Sequence, residues 1–290
     1  MIPSEFEYSR PTSVSEALAL VGVRSSECRA MAGGQSLLPL MKLRLIQPNV
    51  IVDLSRIPAL SFLRVEANGI EIGAMTTERA IELSEEVGAV CPVLTETTRV
   101  IADPHVRNLG TIGGSLCQAD PRGDLPACML ALGATLTASS ASGTRTIPIA
   151  EFYTGPFSTC LRDEELLISI RIPVKASCTG AYVKLSRRAG DFAVVGVATS
   201  IEWGGDGVCH DGRLALSGAG PTPILVHGVT EILTGSRLDD RKIDDVACLA
   251  QTAADPVPDP LVSIDYRRAM VHTMVVRALR LARERAGRKA

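Results

Sequence analysis

Two short segments pair glycines between small polar side chains: Ala32, Gly33, Gly34, Gln35, Ser36 and, about eighty residues on, Thr111, Ile112, Gly113, Gly114, Ser115. Glycine tolerates positive φ and lets a ligand or another backbone come close, so successive N–H groups in such a segment form a concave anion nest. Each segment reads as a loop leaving an apolar, strand-like approach. Either one alone is a turn, the commonest use of glycine. Two with matching hydroxyl and amide flanks point instead to two walls of one phosphate site, enough for a pyrophosphate. Ser36, Thr111 and Ser115 add hydroxyl donors. Neither segment fits G-x-G-x-x-G or G-x-x-x-x-G-K-[ST], which argues against a Rossmann fold and a P-loop. Gly218 and Gly220 run into Pro221 and mark a structural turn.

Composition narrows the function further. Lys plus Arg is 30 against Asp plus Glu at 32, a net charge of -2, so the electrostatic footprint of a general nucleic-acid binder is missing. Aromatic residues are 3% of the chain, too few for a single-strand stacking platform. No apolar run approaches the ~20 residues that span a bilayer, and residues 1–11 lack the basic end and apolar core of a signal peptide. The expectation is a cytoplasmic protein. Its eight cysteines are scattered, with no CxxC and no Cys/His cluster, so no metal or iron–sulfur site is expected and the thiols read as reduced and mostly buried.

The hydrophobic pattern mixes helix and strand. A capped helix is expected from Ser13 to Val21, a short helix over 37–45, a buried strand over 49–54 and a hairpin turning at Asn68–Gly69. Helices follow over 77–87, 92–101 and 124–132, then strand-like stretches at 135–138, 146–149 and 166–172. From about residue 177 the texture becomes an antiparallel meander (181–185, 194–203, 213–217) with a turn at 204–207. Helices over 240–253 and 265–285 close the chain. With 290 residues and about 150 per domain, two domains are expected, 1–177 and 178–290.

The segments AGGQSLLPLMKLR (32–44) and RNLGTIGGSLCQADPRGDLPA (107–127) resemble the two flavin-binding segments of the FAD subunit of molybdenum hydroxylases. The resemblance continues through DEELLISIRIP (163–173) and AYVKLSRRAGDFAVV (181–195), so it spans nearly the whole chain. It implies an α+β fold: a two-subdomain FAD-binding domain of the vanillyl-alcohol-oxidase type, then a small domain with a three-stranded antiparallel sheet and helices. By position, Ala32, Gly33, Gly34, Gln35 and Ser36, with Thr111, Ile112, Gly113, Gly114 and Ser115, would wrap the FAD pyrophosphate and ribityl chain. Asp124 would accept hydrogen bonds from cofactor hydroxyls. Leu167 and Lys184 would flank the flavin, Lys184 offering positive charge. Ile101 stands where some relatives carry an aromatic ring, so the resemblance assigns no stacking partner.

Each of these residues has a plainer reading. Asp124 precedes Leu125–Pro126 and suits a helix cap; Asp120 suits a turn; Lys184 suits a solvated charge cluster with Arg187, Arg188 and Asp191; Leu167 suits the core. His105 reads as a structural hydrogen-bonding residue, and His210, His227 and His272 stand alone. The basic amphipathic stretch 265–285 reads as core packing with a solvated arginine face. No nucleophile–base set is visible, so no catalytic residue is expected. The resemblance implies electron relay, with the molybdenum cofactor and [2Fe-2S] clusters on a large and a small partner subunit, in a dimer of heterotrimers. The alternatives are a free-standing flavin-dependent reductase or oxidase of the same fold, and a non-redox nucleotide-binding module.

Overall fold

The structure is a computed structural model and describes residues 2–23 and 27–289. Its first sheet is parallel, with β1 (Glu7–Ser9), β2 (Cys28–Met31) and β3 (Val50–Asp53) in the order β1-β3-β2. The central β3 is buried at all four positions, as expected of a parallel strand covered on both faces. Helix α1 (Val14–Val23) buries Ala17, Leu18 and Val21. It begins where expected: the Glu16 N–H donates to Ser13 Oγ at 3.2 Å, and the Glu16 carboxylate accepts from the Thr12 N–H at 2.9 Å. Helix α2 (Leu37–Lys42) is shorter than its apolar pattern, because Arg44 turns to a φ of 58°.

The second sheet is antiparallel, with β4 (Leu63–Glu66), β5 (Gly69–Gly73), β6 (Thr135–Ser140), β7 (Gly143–Pro148) and, after a small hairpin of β8 (Tyr153–Gly155) and β9 (Ser158–Thr159), β10 (Leu166–Pro173). The order is β4-β5-β10-β6-β7. The first hairpin turns one residue earlier than its Asn68–Gly69 dipeptide suggests: Glu66 pairs with Gly69, so Ala67 and Asn68 form the loop. Gly69 is needed in the strand, since a Cβ there would sit 2.5 Å from the Ile172 carbonyl oxygen on β10. A β-bulge between Leu167 and Ser169 interrupts the β10–β6 register, and the Ile168 carbonyl accepts from the Ala74 N–H at 2.9 Å.

Six helices lie between β5 and β6: α3 (Glu78–Leu83), α4 (Glu85–Val90), α5 (Pro92–Arg99), α6 (Pro104–Leu109), α7 (Ile112–Gln118) and α8 (Asp124–Leu132). The single helix expected over 77–87 breaks at Ser84, whose extended backbone and hydroxyl cap α4 by accepting from the Val87 N–H. Helix α8 is buried from Asp124 to Ala131 and ends at Gly133, in the left-handed conformation. It is apolar all round because it has protein on every side.

The remainder is the meander β11 (Cys178–Leu185), β12 (Val195–Trp203) and β13 (Cys209–Ser217), to which a two-residue strand β14 (Ile224–Leu225) is added. Helices α9 (Val229–Leu233), α10 (Asp240–Ala253) and α11 (Ile264–Lys289) complete the chain. Alternation along the strands divides the sheet's two faces. Val197, Ile201, Leu214 and Leu216 pack with Val271, Met274 and Val275 of α11, whereas Tyr182, Ala198 and Ala215 join the core around α8. The second face is built from small residues where the helices press close: a Cβ on Gly180 would meet Val93 of α5 at 2.9 Å. The apolar stripe of α11 is therefore core packing, and Arg285 makes its ion pair with Glu96 of α5 at 2.6 Å.

Candidate functional site

A cavity of about 820 Å³, in the range that small-molecule sites occupy, runs from the first glycine segment to the α8–β11 junction. Twelve of the thirteen proposed cofactor residues line it. The thirteenth, Ile112, does not: it is fully buried in the core and its N–H donates to the Thr76 carbonyl at 3.0 Å.

The first segment follows β2 and opens α2. Gly33 lies so close to the Leu109 carbonyl and Gly110 that a Cβ would overlap them, and Gly34 takes a φ of +72°. Its Gln35 side chain donates back to the Gly33 carbonyl at 3.0 Å, which braces the turn. Ser36 precedes α2 without making a side-chain cap bond. Among the described residues the backbone N–H groups of 33–37 have no hydrogen-bonding partner in the chain, so this segment is an open nest of donors facing the cavity.

The second segment is not a loop from a strand. Helix α6 precedes it, Thr111 is the N-cap of α7, and Gly113 and Gly114 are helical. Its N–H groups are already used: Gly113 donates to the Ala74 carbonyl at 2.9 Å, Gly114 to Thr111 Oγ1 at 3.0 Å, and Ser115 to the Thr111 carbonyl at 2.9 Å. The expected second nest is therefore replaced by a wall of hydroxyls from Thr111 and Ser115. Glycine is required here for packing, since a Cβ on Gly113 would sit 2.6 Å from Ala74, and one on Gly114 3.3 Å from the Ala32 methyl. That second contact brings the two segments together as the sequence suggested.

At the far end Asp124 lies in the first turn of α8, behind the Gly123 cap, rather than capping it. Its Oδ2 accepts from Lys184 Nζ at 2.8 Å and its Oδ1 from the Tyr182 hydroxyl at 2.5 Å. Burial pushes the Asp124 carboxyl up, while the Lys184 ammonium and the Tyr182 hydroxyl pull it back. Lys184 also donates to the Val100 carbonyl at 3.0 Å, and only 6% of its side chain is exposed, which removes the solvated-cluster reading. Leu167 serves both readings, as core residue and cavity wall. Asp120 makes the expected turn, accepting from the Arg122 N–H at 2.9 Å, and also lines the cavity. His105 is exposed, lies outside the cavity lining, and shows no side-chain hydrogen bond among the described residues, contrary to its expected structural bond.

Two residues of the cavity lining, Glu78 and Phe192, and Arg107 behind it escaped the sequence reading. Glu78 is 4% exposed with one carboxylate oxygen unpartnered, and burial with the neighbouring Asp124 charge pushes its carboxyl up to about 7. Arg107, inside the second motif, is buried; it pairs with Glu82 at 2.9 Å and holds the Ile101 carbonyl at 2.6 Å. Phe192 is half exposed at the cavity mouth, the one aromatic ring besides Phe157 in the lining. All three depend on contacts between distant segments. Away from the cavity, α10 and α11 bring Asp244, Cys248 and His272 within 4.8 Å, a grouping that spacing alone hides.

The free donors, the glycine contacts that a Cβ would fill and the hydroxyl wall suit the pyrophosphate and polyol of a dinucleotide cofactor. Residues 4–175 match the FAD binding domain in molybdopterin dehydrogenase, and residues 180–282 match the CO dehydrogenase flavoprotein C-terminal domain. The fold and site thus define an FAD-binding oxidoreductase component. The chain belongs to the family of FAD-binding medium subunits of molybdenum-containing dehydrogenases. It is 41% identical to the carbon monoxide dehydrogenase medium chain of Hydrogenophaga pseudoflava, over 97% of this chain and 98% of that one. It is 37% identical to the glyceraldehyde dehydrogenase medium chain of Sulfolobus acidocaldarius, over 97% and 99%. The solved structure of the Hydrogenophaga pseudoflava carbon monoxide dehydrogenase that lacks the Mo-pyranopterin moiety superposes with a TM-score of 0.94 at 40% identity, covering 97% of this chain and 98% of that one.

Proposed function

We propose that this chain is the electron-relay subunit of a heteromeric molybdenum hydroxylase. It takes electrons from [2Fe-2S] clusters of a small partner subunit and passes them to an external acceptor, while a molybdopterin-bearing large subunit transforms the substrate. When bound, FAD supplies the redox chemistry; this chain's residues bind it, orient it and tune its surroundings. The run of unpartnered N–H groups at 33–37 carries the reading, because successive donors with no partner in the chain form a nest for an anionic acceptor. Ala32, Gly33, Gly34, Gln35 and Ser36 take the pyrophosphate from one side. Thr111, Gly113, Gly114 and Ser115 close on it from the other, and Ile112 anchors them through the core. Lys184, with Asp124, sets the charge at the far end, and Leu167 gives an apolar wall. No residue acts as general acid or base.

The domains run over 1–177 and 178–290, the assembly is a dimer of heterotrimers, and eight cysteines that form no disulfide among the described residues suit the cytoplasm. Among the described residues no helix is long and apolar enough to cross a membrane. The relatives are medium chains of a carbon monoxide dehydrogenase and of a glyceraldehyde dehydrogenase, which suits a substrate set by the large subunit. The test is an absorbance titration of the purified chain with FAD, followed by co-purification with co-expressed iron–sulfur and molybdopterin subunits. One FAD per chain and reduction of that flavin by substrate only in the assembled complex are expected. Flavin missing from the assembled complex would overturn the cavity assignment; substrate reducing the isolated chain would favour a free-standing flavoenzyme.

A further inference from the structure

A second cavity, of about 440 Å³, opens beside the first and shares Gly190, Asp191 and Phe192 with it. Its walls come from four separate places: the turn after Asp120, the β11–β12 connection, the segment before α11, and α11 itself. Four guanidinium groups, those of Arg122, Arg187, Arg188 and Arg267, face two carboxylates. One of these, Asp259, is already engaged, accepting from Arg267 Nη2 at 3.1 Å, Arg122 Nη1 at 3.4 Å and the Leu261 N–H at 2.8 Å. Arg267 is only 4% exposed, and its Nε is buried with no partner. Its Nη1 donates to the Gly218 carbonyl at 3.1 Å, so Arg267 is spent on the chain itself and holds Asp259 in place. Arg187 and Arg188 are exposed and pair with no carboxylate among the described residues. Arg122 lies 5.5 Å from the Phe192 ring centroid, leaving half of that residue open to solvent.

Planar guanidinium forks match phosphate oxygens, and a half-open ring takes a flat base. We propose that this second cavity binds a nucleoside diphosphate group, its phosphates on Arg187 and Arg188 and its base against Phe192. On the electron-relay reading above, that group is the anchor by which an external acceptor is held beside the larger cavity.

The test is calorimetric titration of the full chain, saturated with FAD, with ADP, pyrophosphate and orthophosphate at low salt. Prior saturation keeps the first cavity from answering for the second. ADP is expected to bind once per chain and more tightly than pyrophosphate, with orthophosphate weaker still. In the Arg187→Ala/Arg188→Ala variant ADP affinity should fall by at least about tenfold, with flavin content unchanged. Phe192→Ala should bring ADP down to the affinity of pyrophosphate. No ADP binding, binding indifferent to the arginine pair, or ADP that binds only by displacing FAD would overturn the proposal. Pyrophosphate binding as tightly as ADP would overturn the nucleoside part. If the chain retains no FAD yet binds ADP in an Arg187/Arg188-dependent way, the electron-relay reading fails and the second site stands.

Discussion

Lys184 and Asp124 meet with side chains 6% and 4% exposed, and the geometry makes them depend on each other. Breaking such a pair strands a buried charge and costs about 3–5 kcal/mol, whereas removing both partners costs less. Lys184→Met and Asp124→Asn should each lower stability in urea denaturation by an amount of that order, with the double variant more stable than the sum of the two losses predicts. Strict additivity would mean that the ion pair contributes nothing of its own. At Gly33 the problem is steric: an added methyl collides with the Leu109 carbonyl and pushes the two glycine-bearing segments apart. Gly33→Ala should weaken FAD binding by at least about tenfold, roughly 1.4 kcal/mol, in an absorbance titration, with far-UV circular dichroism little changed. Glu78 gives a pH signature. Its carboxyl titrates at about 7 in the fold against an ordinary 4.5, so between those values the folded chain binds more protons than the unfolded one. Stability therefore falls as pH rises from 4.5 to 7 and levels off above, by up to about 3 kcal/mol. Glu78→Gln should remove that part of the slope, and thermal melts of both proteins across the interval check it; parallel curves would show the carboxyl ionised throughout.

At the scale of elements, α7 shows how a binding wall is set. Thr111 caps it, the Ile112 N–H reaches the Thr76 carbonyl, and the Glu78 N–H donates to the Gly110 carbonyl at 2.8 Å, so the starts of α3 and α7 hold each other. Thr111→Val should cost about 1 kcal/mol, the usual loss of a cap, and should also loosen FAD by moving Gly114 and Ser115. An unchanged dissociation constant with lowered stability would confine Thr111 to structure. Such elements were unevenly legible. The ends of α8 and α10 follow from local signals, Gly133 in the one and the Asp239 cap in the other, and fall where the pattern puts them. The start of α7 at a glycine pair was misread as a loop, because only the packing of Gly113 on Ala74 explains why glycines sit inside a helix. The break at Ser84 and the strands β1, β8, β9 and β14, each of two or three residues, leave too little periodicity to read. At the site the glycine segments, Asp124, Leu167 and Lys184 were visible through their motifs. Glu78, Arg107 and Phe192 were not, since burial of a carboxyl or exposure of a ring is decided by chain that lies far away in sequence.

At the scale of the molecule, the sheet of β11–β13 is shared property. Tyr182, Ala198 and Ala215 belong to the same core as Leu125, Met129 and Leu136, and Arg285 ties α11 to Glu96 and to the Gly180 carbonyl at 2.6 Å. Cutting the chain near residue 177 would strip one side of α8, whose residues from Leu125 to Ala131 are all buried, and leave an apolar helix facing water. The two halves are thus one cooperative unit although no sheet is shared between them. Calorimetry should show a single unfolding transition. FAD at a hundred times its dissociation constant should raise the whole transition, by about 2.7 kcal/mol in stability. Arg285→Ala, far from the cavity, should lower the same transition by about 1–3 kcal/mol, the loss of charge-assisted bonds, and leave the FAD increment intact. Two transitions, with FAD moving only the first, would mean that the shared core does not couple the halves, and that Lys184 is brought to Asp124 by docking rather than by folding.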